Sequence, residues 1–150
     1  MKLDDPRLQQ AHKEMAERVK KLDDLIVTTL KYHVSVESSM VELIEAHGKK
    51  ADDTFAAKIA QCQDINPPGI EAATWNLLKE ANRLRNAIAH KIGGKEVQEA
   101  MKNTRKAYAA LSAQSAKDEQ AMTDVQLALS AFTHCGSFIV VATESKRQGG

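Results

Sequence analysis

The chain of 150 residues (16.5 kDa) is long enough to bury roughly two-thirds of its unfolded surface in one core, so it can fold without disulfides or a structural metal. Its net charge of +1 argues against an obligate polyanion binder, and its two widely separated cysteines argue against a zinc site or a secreted disulfide framework. Three of the first five residues are charged, where a secretory signal would be apolar, and no run of about 18 apolar residues occurs, so we expect a cytoplasmic protein without a membrane span.

The first predicted element is a long amphipathic helix within residues 1–47. Apolar residues recur there at helical spacing, and Gly48 supplies a C-terminal stop. The pattern leaves open whether one helix runs throughout or a bend interrupts it near residues 33–35. The apolar positions are Leu8, Met15, Val19, Leu22, Ile26, Leu30, Val34, Met40, Val41, Leu43 and Ile44.

A short helix and a loop follow. We expect Asp52 or Asp53 to cap the helix, which carries apolar Phe55, Ile59 and Cys62. Residues 66–69, Asn-Pro-Pro-Gly, form the clearest loop in the chain, because consecutive prolines remove two backbone donors and disfavour helical angles in the preceding residue. A new helix should therefore begin just after residue 69.

Three helices are predicted in the rest of the chain. The first spans about residues 70–92 and ends at the glycine pair 93–94, and the second spans about residues 95–111. A polar stretch over residues 112–120 leads to the last helix, whose apolar seam suits packing against one partner helix. No segment alternates with a period of two, so we predict an all-α bundle of about five to six helices. The seam residues are Met122, Val125, Leu129, Phe132, Gly136 and Ile139.

Basic residues are concentrated in one part of the chain. Residues 75–106 hold eight lysines and arginines against three glutamates, whereas the flanking stretches are slightly acidic. A local excess of positive charge raises the concentration of a phosphodiester backbone near it. A solvated helix face rich in lysine explains the excess equally well. The aromatic residues Tyr32, Trp75 and Tyr108 are expected to be packing or rim residues rather than a base-stacking platform.

The chemical lead is the segment Arg85-Asn86-Ala87-Ile88-Ala89-His90. At about 100° per residue, Leu77, Ala81, Leu84 and Ile88 form a core stripe, and the polar residues of the same helix point away from it. Asn86 and His90 lie one turn apart on one face, with Arg85 on the flank. An isolated helical histidine is usually a surface or packing residue, but here an amide and a permanent cation accompany it. The polar residues opposite the stripe are Lys79, Asn82, Arg83, Asn86 and His90.

These residue types suit metal-independent cleavage of RNA. A histidine can take the proton of the 2′-hydroxyl or give one to the leaving 5′-oxygen, which is typically worth about 10²- to 10⁴-fold in rate. An arginine keeps its charge and matches phosphate oxygens as a bidentate fork. We predict His90 and Arg85 as the catalytic pair, with Asn86 orienting His90 or holding a phosphate, and Lys79, Arg83 and Lys91 as RNA-binding residues. No cofactor or metal is needed.

The stretch Arg85-Asn86-x-x-Ala89-His90 closely resembles the Arg-Asn-x-x-Ala-His signature of HEPN domains, a family of small helical proteins that includes RNA-cleaving toxins. The resemblance implies one HEPN-like domain over residues 1–150. We expect disordered tails at 1–6 and 146–150. It also implies a homodimer whose two Arg-to-His motifs form a composite, metal-independent active site. A toxin, stress or antiphage role, with an antitoxin or regulatory partner, would follow.

Two features leave other interpretations open. Ile92 stands where one toxin branch of that family carries a tyrosine modified by its antitoxin, so we do not expect neutralisation by that route. Residues 54–59, followed by the proline loop and the motif helix, also resemble helical proteins related to the mannitol operon repressor, which are regulators or adaptors. The alternative function is therefore a non-catalytic helical regulator or protein-interaction module.

Overall fold

The computed structural model describes residues 2–90 and 94–149, and this part of the chain is an all-α bundle of six helices without strands. The predicted fold class is confirmed. The longest helices, α1 and α6, pack against each other along most of the bundle, and α3 packs against α4, α6, α2 and α1. The helices are α1 (Pro6–Ala46), α2 (Phe55–Ile65), α3 (Ala72–His90), α4 (Lys95–Ala109), α5 (Ala113–Glu119) and α6 (Asp124–Gly149).

Helix α1 is one continuous helix of 41 residues, so the bend that the sequence left open near residues 33–35 does not occur. Asp5 caps its N-terminus by accepting a hydrogen bond from the Arg7 amide at 2.8 Å. The helix ends at Ala46, and Gly48, the predicted stop signal, adopts a left-handed φ of 73°. The Gly48 amide donates to the Glu45 carbonyl at 2.9 Å, and the next amide reaches the Ile44 carbonyl at 3.2 Å, which is the Schellman arrangement.

The two halves of α1 have different surroundings. Every residue from 9 to 24 is exposed, so residues 6–24 project from the bundle as a helical segment that we call the arm. From residue 25 onward the helix enters the bundle and buries one face against α6, α2 and α3. The buried residues of that half are Leu25, Thr29, His33, Val36, Met40, Leu43 and Ile44.

The predicted cap of α2 is wrong by one or two residues. The helix begins at Phe55, and the Thr54 hydroxyl, rather than Asp52 or Asp53, accepts the Ala57 amide hydrogen at 3.1 Å. Starting there places Phe55 in the core together with Ile59 and Cys62, as their spacing predicted. Since a cap side chain must stand directly before the first helical residue, the buried face of α2 decides which residue serves.

Helix α6 departs from its predicted seam. Phe132 and Ile139 are fully buried as expected, but Leu129 is 38% exposed. The buried stripe of α6 is wider than the predicted seam and is rotated around the helix relative to it. The cause is that α6 packs against α1, α3 and α4, not against a single partner helix. Gly136 lies close to α1, where an added Cβ would stand 3.2 Å from the Val36 Cγ2 atom. The buried residues of α6 are Leu127, Ala128, Ala131, Phe132, Cys135, Ile139, Ala142 and Thr143.

The last helices also extend further than the sequence suggested. The polar stretch at 112–120 contains α5, with Ser112 accepting from the Ser115 amide as its cap. Residues 146–149, expected to be a disordered tail, form the last turn of α6, and Asp5 and Pro6 of the other expected tail are the cap and first residue of α1. By length and composition alone, α6 is apolar enough to cross a membrane, and 44% of its most apolar stretch is buried inside the bundle. The core helix of a soluble protein passes the same test.

Candidate active site

Helix α3 carries the motif and buries its predicted core stripe. Leu77, Ala81 and Leu84 are fully buried and Ile88 nearly so. The polar side divides into two environments, because α1 crosses one flank of α3. Arg83, Asn86 and His90 are exposed, whereas Asn82, which the helical projection placed with them, is buried.

Asn82 is buried because it has a partner on α1. Its Oδ1 atom accepts a hydrogen bond from Nε2 of His33 at 3.0 Å, inside the bundle. The His33 ring stacks on Phe55 with centroids 3.9 Å apart and meets the edge of Phe132 at 5.9 Å. A satisfied polar pair surrounded by aromatic rings fixes the rotation of α3 against α1.

The surroundings of His33 favour its neutral imidazole. Burial is the largest influence and lowers its pKa from the usual 6.5, and the positive charge of Arg85 lowers the pKa further. The hydrogen bond that His33 donates to Asn82 and the negative charge of Glu37 raise the pKa without reversing the shift. Arg85 is thus electrostatically coupled to a buried histidine that the sequence analysis did not place in the site.

Arg85 is half-buried and its donors are mostly unused. Its Nη1 donates to the Asn86 Oδ1 atom at 3.4 Å, and its Nε is buried without a hydrogen-bond partner in the described part of the chain. The ion pairs found within residues 2–90 and 94–149 do not include Arg85. A guanidinium with free N–H groups beside an exposed surface is available to bind an anion.

Thr29 and His33 are buried polar residues on the same face of α1, and we call them the polar strip. Helix α3 runs antiparallel to α1, since His33 pairs with Asn82 while Leu25, two turns earlier, shares a core cluster with Ile88. Thr29 lies between those two levels, as Arg85 does on α3. The Thr29 hydroxyl is fully buried and also has no hydrogen-bond partner among the described residues. The signal for this strip was the occurrence of Thr29 and His33 at positions where the rest of the buried face of α1 is apolar.

Asn86 and His90 form the exposed side of the motif. His90 is the last described residue of α3, and it is exposed. The predicted contact between Asn86 and His90 is not made in the described residues, where Asn86 accepts from Arg85 instead. The motif therefore presents a cation, an amide and an imidazole at the C-terminal end of one helix.

The predicted RNA-binding residues differ in availability. Lys79 is half-buried, and Arg83 is exposed but paired with Glu80 one turn earlier. Lys91 lies outside the described residues. Arg105, another base of this segment, is held by Glu119 at 3.1 Å and Asp124 at 2.7 Å. Ion pairing thus reduces the positive field expected from the 75–106 segment, although Lys95, Lys102 and Lys106 remain exposed.

Trp75 is a core residue, 3% exposed, and Tyr32 and Tyr108 are half-buried at the edge of the core, so these aromatic residues pack as expected. Within the described ranges, no group of three or more His, Cys, Asp or Glu side chains is placed to hold a metal ion.

No family model, characterised protein or solved structure matches this chain. The arrangement at the end of α3 provides one permanent cation for an anionic group and one imidazole for proton transfer, on an exposed surface backed by a rigid buried hydrogen bond.

Proposed function

We propose that this chain is a metal-independent endoribonuclease of the HEPN type that acts as a homodimer in the cytoplasm. The observation that carries the proposal is the half-buried Arg85 guanidinium, with its unused donors, next to exposed Asn86 and His90. A toxin, stress or antiphage role, controlled by a protein partner, would suit such an enzyme.

The reaction would be a transesterification within the RNA strand. The 2′-oxygen attacks the adjacent phosphorus while the bond from phosphorus to the 5′-oxygen breaks, leaving a 2′,3′-cyclic phosphate and a free 5′-hydroxyl. One group must remove the 2′-hydroxyl proton and another must protonate the 5′-oxygen. His90 can do either, and Arg85 can stabilise the extra negative charge on the phosphorane through its guanidinium fork.

A single chain provides one His90, whereas the reaction uses both an acid and a base. Two chains related by a two-fold axis would place two histidines and two arginines around one phosphate. Because His90 is exposed, it can approach a second copy without rearrangement of the core. The composite site is the reason for proposing a homodimer.

The test is incubation of wild-type protein and His90→Ala with mixed cellular RNA in EDTA, followed by sequencing of the new ends. Wild-type protein should generate ends with 2′,3′-cyclic phosphate, and His90→Ala should not. Asn76→Ala is the matched control, because Asn76 is an exposed polar residue of the same helix outside the motif. Cleavage that survives in His90→Ala would refute the assignment.

The second candidate is a non-catalytic regulator or interaction module related to mannitol operon repressor-like proteins. The exposed apolar positions of the arm favour it, because contiguous exposed apolar surface usually marks a binding surface. This alternative predicts no cleavage from the folded wild-type dimer. It also predicts that Arg85→Ala or His90→Ala weakens dimerisation or partner binding.

A further inference from the structure

The arm carries an apolar stripe that the described chain leaves uncovered. Its positions alternate in steps of four and three, and Met15, Val19 and Leu22 are 57%, 60% and 38% exposed. The same steps continue through Thr29, His33, Val36, Met40 and Leu43, which the bundle buries. The arm stripe is thus the continuation of a helix-packing face. It comprises Leu8, His12, Met15, Val19 and Leu22, and Ile26 extends it to the bundle.

We propose that a second copy of this chain covers the arm stripe by forming a parallel, in-register, two-stranded coiled coil. In heptad terms the a positions hold His12, Val19 and Ile26, and the d positions hold Leu8, Met15 and Leu22. β-Branched residues at a with leucine at d favour two parallel strands. The one polar a residue, His12, would meet its own copy only in the in-register alignment, which is how a polar a residue specifies register.

Charge complementarity supports the parallel orientation. Arg18 occupies the g position before Val19, and Asp23 occupies the e position after Leu22. In a parallel pair each g residue faces the e residue five positions later on the other helix, so Arg18 would face Asp23 of the second copy, twice. In an antiparallel pair that places Met15 opposite Val19, Arg18 would face Arg18. Neither residue forms an ion pair within the described chain, so both are available.

The parallel orientation is also the one that a composite motif site needs. Because α3 runs antiparallel to the bundled half of α1, His90 lies at the end of the bundle from which the arm projects. A parallel pair places both His90 residues at the same height along the two-fold axis. If the arms overlapped in the antiparallel orientation, over about 28 Å at 1.5 Å per residue, the two His90 residues would lie far apart along the direction of the helices. The pairing itself does not depend on the proposed ribonuclease activity.

The first test is sedimentation analysis of the full chain over a concentration series. Wild-type protein should dimerise, and Val19→Glu should raise the dimer dissociation constant at least about tenfold by placing two carboxylates in the apolar stripe. Val27→Glu is the matched control, because Val27 is 53% exposed on α1 but lies off the stripe. A monomeric wild-type chain, or equal loss in both variants, would overturn the proposal.

Charge reversal tests the orientation. Arg18→Asp should weaken the dimer, and Arg18→Asp combined with Asp23→Arg should restore it, since the exchanged charges again face each other in a parallel pair. Failure to restore would overturn the parallel assignment. As an independent check, Val19→Cys should form a disulfide with its own copy, and native Cys62 and Cys135 do not interfere because both are buried. Absence of that disulfide in an intact dimer would also overturn it.

Different results would refute the coiled-coil dimer and the ribonuclease activity. A wild-type dimer that is disrupted by Val19→Glu but cleaves no RNA would retain the coiled coil and reject the ribonuclease. A wild-type monomer that cleaves RNA would reject the coiled coil and retain the chemistry of Arg85 and His90.

Discussion

His33 donates a buried hydrogen bond to Asn82 across 3.0 Å and thereby ties the longest helix of the bundle to the helix that carries the motif. Asn82 lies one turn before Arg85 on α3, and the positive charge of Arg85 lowers the pKa of His33. Any displacement of α3 against α1 would therefore change both the stability of the bundle and the position of the arginine.

The buried pair should be important for stability. Asn82→Ala should lower the free energy of unfolding by about 1–3 kcal/mol, because it leaves the His33 donor buried without an acceptor. Asn76→Ala, at an exposed position of the same helix, should change it by less than about 0.5 kcal/mol. Urea unfolding measures both, and equal effects of the two variants would contradict a structural role for the bond.

Stability should fall on mild acidification. His33 has a folded pKa below the ordinary 6.5, so the unfolded chain binds more protons as the pH drops below that value. Its contribution is fully present above pH 6.5 and is lost as the pH falls toward the folded pKa. His134, whose pKa burial also lowers, acts in the same direction.

This pH dependence can be assigned to His33 by substitution. Urea unfolding between pH 7.5 and about pH 5 should show a smaller decline for His33→Gln than for the wild-type chain, since glutamine can still donate to Asn82 but does not titrate. The part due to His134 should persist in that variant. Identical slopes would show that His33 does not contribute.

Arg85 should be more important for activity than for stability. Arg85→Lys should reduce the rate of RNA cleavage about 10²-fold or more, because an ammonium lacks the planar fork. Arg85→Met should leave the free energy of unfolding unchanged or raise it, since it removes a buried Nε without a partner. Thermal or urea unfolding beside an RNA cleavage assay gives both values. A loss above about 1 kcal/mol in Arg85→Met would mean that the guanidinium is structurally required.

Because α6 lies close to α1 at Gly136, substitutions at Gly136 and Val36 should have non-additive effects on the free energy of unfolding. Alanine in a helix interior is favoured over glycine by about 0.5–1 kcal/mol, but a Cβ at 136 would stand 3.2 Å from the Val36 side chain. Gly136→Ala should therefore be more favourable in a Val36→Ala background than in the wild-type chain, by about 1 kcal/mol. A double-mutant cycle measures this difference, and additive effects would show that Val36 moves aside freely.

Local sequence patterns predicted much of the fold, because helix ends, loops and apolar helix faces depend on residues only a few positions apart. The glycine at 48 ends α1, the proline loop precedes α3, and the core stripe of the motif helix is buried as its spacing indicated. The candidate chemistry, Arg85, Asn86 and His90, was also visible in the sequence. The partner of Asn82 was not, because it comes from 49 residues earlier in the chain.

The sequence by itself determined which face of each helix is apolar, since helical periodicity is a property of neighbouring residues. Only the tertiary structure decided which faces are covered. The steps of four and three are the same at Met15 and Met40, yet Met40 is fully buried and Met15 is 57% exposed. The difference arises because α6, α2 and α3 pack against one half of α1 and leave the arm open, and the position of distant helices is not encoded in local spacing.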